Sequence, residues 1–292
     1  MTTPARSIGF WTAVAIVMGN MIGSGVFLLP ASLAPFGGLA FGGWLVSAGG
    51  AMAMALVFAR LAATMPAAGG IYAYSRATFG DLAGFLVGWG YWTSVWAGCA
   101  ALGIALVGYL DPFVPAIART PSLAAATAIG AVWLLTFVNL RSVGSAGRVQ
   151  VVTTALKVLP LLVIGVAGLA VLSPANFAMP ARAATPGGVI STLMAAASLT
   201  MWALLGLETA TIPADSVESP ERTIPRATVT GTLLSAIVYI VSTAGVMGAL
   251  GPDALAHTTA PFADAARRFF GDRGALIVAA GGVVSCFGAL NG

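Results

Sequence analysis

Lys157 and Glu208 are the two ionisable residues that remain deep in apolar sequence once the polar connections are set aside. A charge in hydrocarbon costs at least about 2.5 kcal/mol on insertion scales, so each position marks function rather than solubility. Lys157 lies in Arg148-Val-Gln-Val-Val-Thr-Thr-Ala-Leu-Lys-Val-Leu-Pro160, with no neighbour of opposite charge. About nine residues separate it from Arg148, roughly 13 Å at helical rise, which is deep for a side chain that would snorkel to an interface. Its ammonium can exchange a proton or stand as a fixed cation. Glu208 follows Gly206 in Thr200-Met-Trp-Ala-Leu-Leu-Gly-Leu-Glu-Thr209, and the apolar run continues past it through Ala210 and Ile212. Trp202, just before the glycine, offers an aromatic face to an aliphatic or cationic group; lipid or packing contact is the plainer alternative.

These groups need elements to hold them, and the elements are interrupted. Met18-Gly-Asn-Met-Ile-Gly-Ser-Gly-Val-Phe27 falls in the middle of the first apolar segment. Gly23, Ser24 and Gly25 weaken a helix there, since glycine costs roughly 1 kcal/mol against alanine in a helix interior. Freed backbone is tolerated at membrane depth only where protein covers it or a polar cavity meets it. Gly206 supplies a second candidate break in the sixth segment. Paired interruptions of this kind point to a transporter's substrate site. The half-helix after Gly25 would present amides to a carboxylate, and carbonyls around the sixth-segment break would receive an ammonium.

The composition fits membrane spans throughout. Of 292 residues, 59% are hydrophobic and 8% charged, against about 25% charged in a soluble domain. Apolar stretches of roughly 20 residues recur along the chain, which means helices rather than a barrel. We place segments at about 8–34, 38–64, 80–110, 122–139, 147–173, 188–217, 224–250 and 274–292. The fold expected is an all-α polytopic membrane protein with helices 1 and 6 broken. The last segment runs to Gly292, so the chain is expected to be C-terminally truncated after part of helix 8. The connection 251–273 is read as an outward loop, with His257 solvated. Other glycines, such as Gly42-Gly43, Gly49-Gly50 and Gly84 with Gly88, read as close helix contacts.

Arg6, Arg60, Arg76, Arg141, Arg148, Arg222 and Arg226 fall on one side of this topology, and Arg119, Arg182, Arg267, Arg268 and Arg273 on the other. The excess predicts a cytoplasmic N-terminus. The basic residues are scattered, which argues against nucleic acid, and Cys99 and Cys286 lie in apolar spans, where they read as small buried residues rather than a disulfide pair. No metal-ligand cluster, Walker loop, Rossmann fingerprint or nucleophile elbow is present, so an enzyme, a metal and a cofactor are not expected.

The sequence resembles the amino acid–polyamine–organocation transporters, and within them the basic amino acid/polyamine antiporter branch (arginine/agmatine antiporter-like). The most specific pieces are Asn20-Met-Ile-Gly-Ser-Gly-Val-Phe-Leu-Leu-Pro30, Pro66 to Tyr74, Trp202 to Glu208, and Val217-Glu-Ser-Pro-Glu-Arg-Thr-Ile-Pro225. The resemblance implies a LeuT-like fold of two inverted five-helix repeats working by alternating access. Residues 1–173 would form the first repeat and 188–292 an incomplete second one. It implies that Ile22, Gly23, Ser24 and Gly25 cradle a carboxylate beside Asn20, that Trp202 stacks on substrate near Leu205, and that Glu208 gates and responds to pH. Tyr91 would help close the inner side, with Trp89 to Trp96 lining the cavity. Ser94, Val95, Cys99 and Leu102 occupy neighbouring cavity positions.

Two departures bear on specificity. The resemblance places Cys99 where arginine/agmatine antiporters carry an asparagine facing the guanidinium, and Lys157 resembles the lysine that replaces a sodium site in neutral amino acid carriers. Both lean toward a neutral or broader substrate. The expected function is secondary active transport of amino acids, by amino acid/amine exchange or proton coupling, in a bacterial-type inner membrane. An arginine/agmatine antiporter proper of acid resistance is the alternative within the class; a channel or a non-transporting sensor or subunit is the alternative outside it. The expected partners are the small-molecule substrate and the lipid bilayer, and a homodimer is compatible with this reading.

Overall fold

The computed structural model describes residues 6–292, apart from the side chain of Arg182, which was placed above on the outer side. Its helices run α1 Phe10–Met21, α2 Leu29–Leu33, α3 Leu39–Thr64, α4 Ile71–Phe79, α5 Asp81–Leu110, α6 Pro115–Arg119, α7 Pro121–Arg141, α8 Val143–Ala170, α9 Gly188–Ala203, α10 Pro220–Leu250, α11 Pro252–His257 and α12 Pro261–Asn291. Among the described residues no strand occurs beyond an isolated bridge, Ile8 to Val217. Six helices, α3, α5, α7, α8, α10 and α12, are long and apolar enough to cross a membrane, so the chain is a polytopic α-helical membrane protein.

Helix α10 forms the axis, packed against α1, α3 and α8, while α5 and α7 lie outside with most of their apolar side chains exposed. Such faces suit lipid. Where α8 crosses α10 the backbones nearly touch: a Cβ at Gly168 would stand 2.1 Å from the Gly245 carbonyl oxygen. Gly43 approaches the backbone of α9 at Ala196 and Ala197 in the same manner, whereas Gly49 and Gly50 meet nothing within 4 Å. Close contact is thus specific to some of the expected glycines.

The connection 251–273 is not a loop. Pro252–His257 is helical, and α12 begins at Pro261, ten residues before a kink at Gly271 (φ +66°). The polar residues Asp264, Arg267, Arg268 and Asp272 disguise this stretch, because they form ion pairs and a helix cap on its solvent side. Pro66–Gly70 turns into α4, an amphipathic helix whose Tyr74 is buried.

Candidate functional site

The first interruption falls where the small residues are. Helix α1 ends at Met21, Ile22 has left helical geometry, and the chain resumes as a 3-10 turn at Gly25–Phe27. The half-helix expected after Gly25 is instead a string of short pieces, the turn 25–27, α2 and a second turn at Ala34–Phe36. Pro30 and Pro35 explain this, since neither has an N–H to give back to the preceding turn. The amides of Ser24, Gly25 and Val26 make no backbone hydrogen bond among the described residues.

The carbonyls on the other side of the break are taken up by four helices. Lys157 Nζ, fully buried on α8, donates to Gly19 O at 2.7 Å and Ile22 O at 2.6 Å. Ser285 Oγ of α12 donates to Ile22 O and Gly23 O at 3.2 and 3.1 Å. Tyr239 Oη of α10 donates to Met21 O at 2.6 Å, its ring stacked on Trp44 of α3 at 5.3 Å. Tyr109 Oη of α5 reaches Ser24 O at 3.4 Å. Lys157 is therefore the side-chain cap of a helix that stops short, its amine donating to carbonyls at the C-terminal end of α1. Tyr239, Ser285 and Tyr109 are missed by sequence reasoning, because neutral hydroxyls inside apolar spans raise no flag. Their spans could still have been searched for donors, as the carbonyls of Gly19, Ile22 and Gly23, which accept no backbone amide among the described residues, demanded some.

The second interruption follows α9. Gly206 takes φ +101°, and a 3-10 turn begins at Thr209. Among the described residues, the carbonyls of Ala203, Leu204 and Leu205 accept no hydrogen bond. Thr209 Oγ1 and Thr211 Oγ1 fold back to Gly206 O and Glu208 O at 2.7 and 2.6 Å. The half-buried Glu208 side chain stands beside the Tyr91 hydroxyl and the break at Gly206.

The two interruptions face each other. A Cβ on Gly206 would lie 3.3 Å from the backbone of Asn20 and Met21, so glycine is needed for closeness as well as for its positive φ. A Cβ on Gly25 would meet the indole Nε1 of Trp202 at 3.8 Å. Trp202 is otherwise open, with 72% of its surface exposed, and Leu205 is exposed beside it.

Cavities lie on either side of the first break. One of about 580 Å³ is lined by Asn20, Tyr91, Val95, Cys99 and Leu102, together with α7 and the end of α12. Its lining reaches Leu140 at the end of α7 and Asn291 at the end of α12. The other, about 730 Å³, runs from Ser24 and Gly25 past Tyr109 to Asp111, Arg267 and Asp272. Gly23 sits between, near Leu102 and Ala289. Ser94 turns its hydroxyl onto Tyr91 O at 2.8 Å and lies outside both cavities. Trp89, Trp92 and Trp96 form an exposed ladder on the outer face of α5 rather than a cavity lining, because their spacing puts them on the helix face away from Tyr91 and Val95.

Fold and site together define a class: a multi-pass membrane protein whose polar interior is assembled from two interrupted helices. The chain belongs to the amino acid permease family of the amino acid–polyamine–organocation superfamily, whose model matches residues 8–292. Among curated relatives, the cadaverine/lysine antiporter of Escherichia coli K12 is 36% identical over 98% of this chain and 64% of its own length. A putative arginine/ornithine antiporter of Bacillus subtilis is 34% identical over 97% of this chain and 66% of its own. The putrescine transporter PotE of Haemophilus influenzae is 32% identical over 100% of this chain and 67% of its own. The chain thus spans a little under two thirds of the length of the first of these relatives. Family and relatives are transporters, not enzymes.

Proposed function

We propose that the chain carries the substrate-binding half of a secondary transporter that exchanges amino acids and their amines across a bacterial inner membrane. The observation that carries the reading is the mutual approach of the two interruptions, Gly206 on Asn20 and Trp202 on Gly25. A substrate carboxylate would meet the amides of Ser24, Gly25 and Val26, and its α-ammonium the carbonyls of Ala203 to Leu205. Trp202 would cover the bound molecule, with Asn20, Ile22, Leu205, Val95, Cys99 and Leu102 around it and the Tyr91–Glu208 pair closing one side.

In this reading the architecture is the LeuT-like pair of inverted repeats, with 1–173 as the first and 188–292 within the second, moving against each other by alternating access. Lys157 acts as the fixed cation at the break, so that no dissociable cation is required there. The relatives are named for substrates that are cationic at neutral pH, and we extend a cationic substrate class to this chain in place of the neutral one suggested by Cys99 and Lys157.

Counterflow tests this. Proteoliposomes holding the full chain are loaded with lysine, arginine, ornithine, 1,5-diaminopentane or leucine, and uptake of a labelled trace of each is followed. Accumulation that requires internal substrate and favours the cationic compounds is expected. Equal accumulation with leucine would return the specificity to the neutral class, and no accumulation with any compound would remove the transporter reading.

A further inference from the structure

The cavity of about 580 Å³ beside Asn20 has a one-sided hydrogen-bonding character. Its polar side chains direct their hydrogens elsewhere. Thr136 Oγ1 donates to Val132 O at 2.8 Å, and Thr209 Oγ1 to Gly206 O at 2.7 Å. Asn139 Nδ2 donates to Leu135 O at 2.9 Å and to Asn291 Oδ1 at 3.3 Å, which uses both hydrogens of its amide. Asn291 in turn gives its own amide hydrogens to Ala146 O and Gln150 Oε1, so the orientation of the Asn139 amide is fixed from behind. Tyr91 lies beside the Glu208 carboxyl, the nearest acceptor for its hydroxyl. Asn20 commits one hydrogen to Ile16 O at 3.0 Å.

What faces the cavity is therefore chiefly oxygen lone pairs. Asn139 Oδ1 has no hydrogen-bond partner among the described residues. Thr136 lies one turn before it on α7, so the two oxygens share a face. No lysine or arginine lines the space among the described residues, and the Cys99 thiol is only a weak donor. A wall of acceptors favours a group that donates and does not accept. A primary ammonium has three donors and no acceptor. A guanidinium is also donor-only, but its planar fork is best matched by a carboxylate taken at two points, and the wall offers separate neutral oxygens instead.

We propose that Thr136 and Asn139 are specificity-determining residues that receive the distal ammonium of the transported molecule, while its α-amino acid end lies at the two interruptions. This rests on the transporter reading above and adds to it which residues on α7 read the far end. It moves the decision away from Cys99, which lines the same cavity but has little to offer a cation.

The test compares lysine with norleucine, which has the same carbon skeleton without the terminal amine, as competitors of labelled lysine exchange by the full chain in proteoliposomes. Lysine is expected to compete at least about tenfold more strongly than norleucine, the order of one hydrogen-bonded charge. Thr136→Val and Asn139→Leu should each shrink that ratio about fivefold or more, leaving competition by norleucine unchanged. Asn139→Leu also breaks the bond to Asn291, so Thr136→Val, which is isosteric and loses only an intrahelical bond, keeps the test decisive if the other fails to fold. An unchanged ratio in Thr136→Val, or equal competition by norleucine in the parent, overturns the proposal while exchange itself persists. Absence of exchange with every amino acid and amine removes the transporter reading and this proposal together.

Discussion

In Lys157→Met, the carbonyls of Gly19 and Ile22 lose the ammonium that binds them in a site closed to water. A buried acceptor left unpaired costs about 1–3 kcal/mol, and Ser285 can still reach only Ile22 O and Gly23 O. We expect exchange to slow by about tenfold or more, since each 1.36 kcal/mol is tenfold in rate, with a smaller change in substrate affinity. Lys157→Gln, which keeps a donor, should lose less; exchange at parent rates in both variants would rule out a role for the ammonium. Trp202→Ala should raise the half-saturation concentration about fivefold, as loss of about 1 kcal/mol of cation–π contact implies. An unchanged concentration would take Trp202 out of the site. Lys157, Glu208 and Trp202 were legible in the sequence because charge or aromatic bulk stands out in an apolar run. Tyr239, Ser285, Thr136 and Asn139 were not, because a hydroxyl or amide in a span looks the same whether it satisfies its own helix, caps a neighbour or faces a cavity.

At the scale of elements, the crossing of α8 and α10 is held by glycine on both sides. A Cβ at Gly245 would stand 2.0 Å from Gly165 O, so Gly245→Ala must push two central helices apart. Overpacking of this kind costs about 1–3 kcal/mol, and the thermal midpoint in detergent is expected to fall. Gly49→Ala makes the matching control: nothing lies within 4 Å of the added carbon, and alanine gains roughly 1 kcal/mol of helix propensity there. Its midpoint should hold or rise, and equal losses in the two variants would disprove a specific crossing. The apolar periods marked the spans and the triple Gly23-Ser24-Gly25 marked the first break, because both are composition effects. The helix at 261–270 and the fragmentation after Gly25 escaped, the first because ion pairs make a helical stretch look like a loop, the second because prolines act through hydrogen bonds they fail to make.

For the whole molecule, the question is which face looks inward. Helix α10 has 31 residues, about 46 Å at helical rise, which exceeds the hydrocarbon thickness of about 30 Å. Its ends must therefore lie on opposite sides. The end at Pro220 is tied to the start of the chain: Ser7 and Ile8 donate to Ser216 O at 3.0 Å, and Glu218 N donates back to Ile8 O at 3.0 Å. Arg6, Arg141, Arg148, Arg222 and Arg226 gather along the stretches of chain that lie at this face, and an excess of arginine favours the cytoplasm. The end at Leu250 leads into α11 and its exposed residues. We therefore predict opposite labelling of two single cysteines, Glu221→Cys and Ala254→Cys, in a chain with Cys99 and Cys286 replaced by alanine. An impermeant maleimide added to intact cells should modify Ala254→Cys and reach Glu221→Cys only after permeabilisation. The reverse pattern would invert the molecule in the membrane.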